Sequence, residues 1–557
     1  MRKAVRRYWS VVLGVGTLVF AAATATADSP TGRAVARAAP QATVGGLTVA
    51  EYLGRQGELH ARLTAAMPAG ALDTPVRVEL TQQDLDDLAT PTAPPLRIGV
   101  VKSIRPVNVA GLGRGQAGGV FEETQDSGFT WAMTISSPGA EGIRVHVRNF
   151  SLPDGAAMYI FTPEGSAQGP YQGVGRNGDG EFWTHTVFSE TAVIQVRHDG
   201  PATAQDKANV RFVIDSVGHI RPDRPHPVQQ DWPQDRCGNE DCVLDANCGS
   251  VAPANQDAIA KMEWIAGAFI YTCTGGLIAD TDGSTQRNLF LTANHCISKT
   301  KDAKNVETYF FYWTTSCNGE CPPWPSTPHT IGTTILATSR DGDFSLLELW
   351  EDPPSGTAFL GWNNTPIAYT NGADLYRVSN PNYGPQVYSH HEVDADTGTC
   401  TGLPRGEFIY SADVEGATDG GSSGAPVVNS AGEIVGQLYG CCGYDCADVC
   451  AGAGTNWTVD GALAYYYDSV AEFLDPDGGC TSPADCDDSE PCTDDTCVDG
   501  TCYNTWAACG LSDGCCGPEC SSANDPDCAE CGLKGDPCTT GEDCCSGLCH
   551  PVQGTCK

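Results

Sequence analysis

At 557 residues and 41% hydrophobic content, the chain has apolar material for three or four separately cored domains, so burial does not limit its fold. A formal charge of −37 excludes nucleic acid and anionic membrane as natural partners, because both would repel such a surface. Cysteine is absent before Cys237; twelve lie from Cys237 to Cys450 and sixteen from Cys480 to Cys556, both even sets, as full disulfide pairing requires.

Residues 1–27 are expected to be a signal peptide. Arg2, Lys3, Arg6 and Arg7 form a basic start, residues 9–23 are apolar but short for a membrane span, and Ala25-Thr26-Ala27 is a small-residue cleavage site. Residues 28–75 are read as linker followed by a helical segment, where Val49, Leu53, Leu59 and Leu63 recur at near-helical spacing despite Gly54 and Gly57. From 76 to 220 short apolar or alternating runs (97–104, 129–135, 143–148, 157–161, 192–197) are separated by Pro and Gly clusters, which predicts an antiparallel β-sandwich. Its histidines His146, His185 and His198 are read as strand or loop polar residues. Residues 221–236 hold four prolines and three arginines, the composition of an exposed linker open to proteolytic processing.

The chemistry is expected in 237–476. Residues 418–428, TDGGSSGAPVV, surround Ser423 with glycines that permit a tight, partly positive-φ turn, and such a turn exposes one hydroxyl beside free backbone N–H groups. A serine hydroxyl is a weak nucleophile until a base takes its proton and an acid orients that base. The upstream candidates are His295, in LTANHC at 291–296, and Asp343, in DFSLLEL at 343–349, each beside a short apolar run that places it at a strand end. Ser422 and Asp341 are neighbouring alternatives.

These three motifs, in the order His, Asp, Ser, resemble the signatures of the chymotrypsin clan of serine peptidases. Further residues, DCVLDANC at 241–248, CTGGLI at 273–278, GQLYG at 436–440 and EFLDP at 472–476, resemble the secreted bacterial lysyl endopeptidase type within that clan. The resemblance implies a mainly β protein: a double six-stranded β-barrel with a C-terminal helix over 462–474 packed on the second barrel, preceded by the sandwich as a removable pro-domain at 76–220. It implies a secreted serine endopeptidase with Ser423 as nucleophile, His295 as base and Asp343 as orienting acid. The Gly421 and Ser423 N–H groups would form the oxyanion hole. It also implies a Cys273–Cys296 disulfide beside the base, with Cys242, Cys248, Cys317 and one of Cys441, Cys442, Cys446 or Cys450 in other bridges; Cys237, Cys321 and Cys400 are extra. The residue before the nucleophile is Ser422 where the trypsin branch has an aspartate, so activation by a buried N-terminal ammonium is not expected.

Specificity is less legible. Ala417 stands six residues before Ser423, where trypsin-like enzymes place an aspartate. The family's lysine-selecting acid does not recur at its spacing, leaving Asp460 or Asp448 as substitutes. Tyr439 and Gly440 are expected to line the cleft. The expected partners are polypeptide substrates and the chain's own pro-domain, in a monomer without cofactor or metal. After Pro476 the composition turns to Cys, Asp, Gly and Thr, which cannot build a core and must be stapled. Residues 477–530 resemble cysteine-rich repeats. Residues 531–557 resemble a cystine knot, which implies Cys531 with Cys545, Cys538 with Cys549, and Cys544 with Cys556. The competing functional reading is an exported cysteine-rich binding protein with an inactive peptidase fold.

Overall fold

The computed structural model describes residues 37–38, 41–42, 46–90, 94–113, 118–221, 237, 239–249, 253–282, 286–322, 327–451, 456–476, 483, 492–498 and 501–506. The expected signal peptide, the processing linker from 222 to 236 and the cystine-knot cysteines Cys531, Cys538, Cys544, Cys545, Cys549 and Cys556 lie outside them.

The helical segment forms Val49–Ala65. Thr48 accepts from the Glu51 N–H while the Glu51 carboxylate takes the Thr48 N–H, a reciprocal cap that satisfies two donors left over at a helix start. The helix runs through Gly54 and Gly57, at both of which a side chain would meet nothing within 4 Å. Residues 37–38 and 41–42, read from sequence as linker, instead add two-residue strands beside Trp362–Asn363 and Ala358–Phe359.

Two sheets face each other in the N-terminal half. One runs in the order Val76–Arg77, Phe129–Ser136, Thr191–His198, Ala156–Phe161, Ala167–Tyr171, with Val120–Glu123 beside Phe129–Ser136. The other runs Phe182–Trp183, Gly142–Ser151, Arg211–Ile220, Leu96–Ala110. Trp131, Met158, Ile194 and Val196 of the first sheet bury against Val145, Val147, Phe212 and Ile214 of the second, the interdigitation expected of a sandwich. The second sheet does not stop at its edge. Leu96–Ala110 also pairs antiparallel with Phe269–Leu277, so the sandwich sheet continues into the following barrel.

That barrel comprises Ile259–Ala266, Phe269–Leu277, Leu289–Ala293, Glu307–Phe310, the pair His329–Ile331 and Thr333–Ser339, and Phe344–Leu349. Between the members of the pair, Gly332 at φ +90° bends the chain where a side chain would strike Trp350. The second barrel closes as Pro426–Val428, Asp374–Ser379, Val387–Val393, Phe408–Glu415, Asn456–Ala462 and Ile434–Gly443, the last pairing back to the first. The Leu463–Leu474 helix buries Leu463, Tyr466, Tyr467, Val470 and Leu474 in a core shared by both barrels, with Phe344, Leu346 and Leu347 of the first and Val428 and Ile434 of the second.

Six disulfides staple this region: Cys237–Cys321, Cys242–Cys450, Cys248–Cys317, Cys273–Cys296, Cys400–Cys442 and Cys441–Cys446. Cys450 is thus the partner of Cys242 among the four alternatives. Beyond 476 the described residues form one hairpin, Thr493–Val498 with Thr501–Trp506.

Candidate active site

His295 lies two residues past the end of the Leu289–Ala293 strand, and Asp343 directly precedes the Phe344–Leu349 strand that pairs with it. Antiparallel pairing of Ala293 with Phe344 brings the two ends together. The Asp343 carboxylate then takes two hydrogen bonds from one residue: Oδ1 from the His295 backbone N–H at 3.0 Å, and Oδ2 with His295 Nδ1 at 2.7 Å. Asp343 reaches this pose through a φ of +48°, a left-handed conformation that a non-glycine residue adopts only against some strain. Its own carbonyl is held by the Asn294 N–H at 2.9 Å and Gln437 Nε2 at 3.0 Å. Asp341, the alternative acid, is exposed and takes no part in this pairing.

With Nδ1 engaged, the other ring nitrogen is the one available for chemistry. His295 Nε2 is buried and hydrogen-bonds to no described group. The ring meets Tyr439 edge-on at 5.7 Å, and Tyr439 in turn meets Phe408. Burial raises the Tyr439 phenol above its ordinary range, with the Asp343 charge adding to the rise. His295 also lies within 4.8 Å of the sulfurs of Cys273 and Cys296, a grouping of metal-ligand type, but the disulfide between those cysteines removes both thiolates.

Ser423 sits on the turn before Pro426–Val428, with 6% of its surface exposed. Its hydroxyl donates to the Tyr439 carbonyl at 3.5 Å. Ser422, the alternative nucleophile, is fully buried and accepts at Oγ from the Ser379 hydroxyl at 2.9 Å, which makes it a tie between strands. Glycine is required on both sides. Gly421 has φ +99°, and at Gly424, φ +84°, a side chain would lie 2.2 Å from Thr292 Oγ1. The turn is anchored by Thr274, whose N–H donates to the Ser423 carbonyl and whose hydroxyl donates to that of Gly421, both at 2.9 Å. Among the described residues, the N–H groups of Gly421 and Ser423 donate to no acceptor, while that of Ser422 binds the Asp419 carbonyl.

Around the turn, Ala417 is buried with Val243 and Val387 and presents no charge. Gly440 continues the strand beyond Tyr439 with φ +157°. Neither acid proposed from sequence as a substitute selector is a free buried carboxylate. Asp460 is fully buried and gripped in two places by Arg377, Nε to Oδ1 at 3.0 Å and Nη2 to Oδ2; burial pushes its carboxyl up and Arg377 opposes that rise. Asp448 is exposed and caps the Cys450 N–H. Sequence reading missed Arg377, Gln437 and Tyr466 because each acts through a partner distant in the chain. It also missed Leu96, whose Cδ1 lies 3.6 Å from where a Gly420 side chain would begin.

Two strand-built barrels with a half-buried histidine hydrogen-bonded to a buried aspartate, and a serine in a glycine-rich turn, place the molecule in the trypsin-like class of serine peptidases. Residues 238–451 match the family model of the lysyl endopeptidase C-terminal domain. Lysyl endopeptidase of Pseudomonas aeruginosa is 30% identical over 379 residues, covering 63% of this chain and 77% of that protein. The chain belongs to the lysyl endopeptidase family. Secreted RxLR effector protein 73 of Plasmopara viticola is 24% identical over 331 residues, 56% of this chain and 78% of that protein. Among solved structures, the MamO protease domain of Magnetospirillum magneticum matches with a TM-score of 0.26 and 12% identity, over 39% of this chain and 98% of that one. Among the described residues no helix is long and apolar enough to cross a membrane, and the six disulfides fit an oxidising, extracellular setting.

Proposed function

We propose that this chain hydrolyses peptide bonds by acyl transfer to Ser423 and is made as a secreted precursor whose residues 76–220 are later removed. His295 Nε2 takes the Ser423 proton as Oγ attacks the substrate carbonyl carbon, then delivers it to the amine that leaves. Water repeats the sequence on the acyl-enzyme. Asp343 holds the ring with Nδ1–H facing the carboxylate and stabilises the imidazolium formed in each half-reaction. The carbonyl oxygen, as it gains charge, is met by the N–H groups of Gly421 and Ser423; losing one such donor typically costs about 3 to 4 kcal/mol of barrier.

The observation that carries the reading is the double grip of Asp343 on His295, which leaves a buried, unpartnered Nε2 beside the Ser423 turn. The reading requires Ser423 Oγ to exchange the Tyr439 carbonyl for Nε2, a contact of the kind that tightens when substrate arrives. The substrate class is polypeptide. Lysine selection is not carried over from the relative, since Ala417 is uncharged and Asp460 is taken up by Arg377. The test is a fluorophosphonate probe applied once everything before Cys237 has been removed and located by peptide mass, with Ser423→Ala as control. Label on Ser423 that disappears in the control is the expected result; a folded protein that takes no label overturns the reading.

A further inference from the structure

Donors that meet a developing oxyanion must already point at it, so whatever fixes the peptide planes of the Gly421 and Ser423 amides takes part in the reaction. In a trans peptide the C=O points opposite to the N–H, so each donor can be aimed by holding the carbonyl behind it. The Ser423 amide shares its plane with the Ser422 carbonyl, which accepts from the Ala425 N–H at 3.0 Å, a bond internal to the turn. The Gly421 amide shares its plane with the Gly420 carbonyl. That carbonyl is held from outside the turn, by the Asn382 N–H at 2.7 Å.

Asn382 belongs to the short Pro381–Tyr383 turn that follows the Asp374–Ser379 strand, and this turn lies directly behind Gly421. A side chain at Gly421 would meet the Asn380 carbonyl at 3.0 Å and the Asn382 nitrogen at 3.2 Å. Asn382 stands at φ 54°, ψ 27°, a left-handed conformation that asparagine tolerates better than most residues. Its side chain secures that pose. Nδ2 donates to Asp419 Oδ2 at 2.6 Å and to Asn239 Oδ1 at 3.3 Å, while Asp419 Oδ1 takes the Gly420 N–H at 2.6 Å. Asn382 therefore holds the Gly420 carbonyl directly and, through Asp419, the Gly420 N–H as well. Asn239 is buried and lies two residues after Cys237, which the disulfide to Cys321 pins in place.

We propose that Asn382 is the positioning residue of the oxyanion hole, holding the Gly420–Gly421 peptide with its N–H toward the substrate carbonyl. Two consecutive glycines leave that peptide free to turn over, which would replace a donor by an acceptor at the reacting oxygen. Asn239 seats Asn382 by a neutral hydrogen bond, so the start of the barrel domain supports the hole without a buried ammonium. The proposal rests on the assignment of Ser423 as nucleophile and adds the residue that keeps one of its two oxyanion donors in line.

The test uses the full chain, cut in the 222–236 linker and freed of everything before Cys237. Titration with a fluorophosphonate gives a limiting labelling rate and a half-saturating concentration. Asn382→Ala removes the side-chain bonds without changing charge, and the limiting rate is expected to fall at least tenfold, with half-saturation within about twofold of wild type. The exchange Asn382→Asp with Asp419→Asn reverses the pair. A carboxylate at 382 then accepts from an amide at 419 whose oxygen still takes the Gly420 N–H, and the limiting rate should return to within about threefold of wild type. A wild-type limiting rate in Asn382→Ala, a loss confined to the fraction of molecules that label, or an exchange pair as slow as Asn382→Ala overturns the proposal while leaving Ser423 as nucleophile. If wild type itself takes no label, the nucleophile assignment fails and the proposal falls with it.

Discussion

Asp343 concentrates several constraints in one residue. Its backbone sits at φ +48°, its carboxylate holds both His295 donors, and its carbonyl takes two more hydrogen bonds. Asp343→Asn preserves the shape but turns an amide NH₂ toward a donor, so the imidazole loses its orientation; labelling of Ser423 should slow by about 10⁴-fold with little change in thermal stability. Asp460 makes the contrasting case. Its carboxylate and the Arg377 guanidinium are both without exposed surface, so Asp460→Ala leaves a buried charge unpaired and should cost about 3 to 5 kcal/mol by urea denaturation. A specificity acid would instead alter the profile of cleaved residues at constant stability. Both roles were open from sequence alone, where an aspartate in a glycine-rich strand shows its charge but not its partner.

At the scale of elements, the Leu463–Leu474 helix reaches the candidate site at two removes. The Tyr466 hydroxyl donates to Gln437 Oε1 while its ring stacks on Phe344 at 4.2 Å, and Gln437 Nε2 donates to the carbonyls of Gly342 and Asp343. Tyr466→Phe keeps the stack and strips the hydroxyl, leaving a buried amide oxygen unpaired. The expected loss is about 1 to 3 kcal/mol of stability in urea, and a slower Ser423 labelling rate than in the exposed control Tyr465→Phe. The apolar stripe of this helix was legible as core, because 3.6-residue periodicity depends on local sequence alone. The hydroxyl's partner was not, since a buried polar group takes whatever acceptor the fold brings near. The same limit governed the cysteines: their even count was readable, but the choice of Cys450 for Cys242 required the loop between the Ile434–Gly443 and Asn456–Ala462 strands to be placed.

Over the whole molecule, alternation and turn residues pointed to a β-sandwich and the family resemblance to β-barrels after it, yet neither showed that one sheet spans both. Leu96–Ala110 reads as a strand either way, and the identity of its second neighbour is a long-range choice that no local pattern encodes. The same junction buries charge. Arg144 of the sandwich lies 3.4 Å from Glu307 of the first barrel, Lys261 pairs with Glu263 at 3.0 Å, and none of the four is exposed. The Thr186 hydroxyl links the two glutamates. At the edge of this cluster His329 bonds Tyr52 at 3.1 Å and faces His185 and Glu307. Burial, the largest influence, and the nearby Arg144 push His329 down to about 4, against the pull of Glu351 and Glu263. The folded protein therefore binds this proton less tightly than the unfolded chain, whose histidine titrates near 6.5. The stability that neutral His329 permits is fully present above about pH 6.5 and drains as pH falls toward 4. His329→Gln removes the titration and retains a hydrogen-bonding group. Subtracting its urea-denaturation free energy from that of wild type cancels the groups that titrate independently of His329 and leaves this residue together with its neighbours His185 and Glu307. The difference should fall by about 3 kcal/mol between pH 6.5 and 4, and a flat difference would mean that His329 is solvated in the native protein.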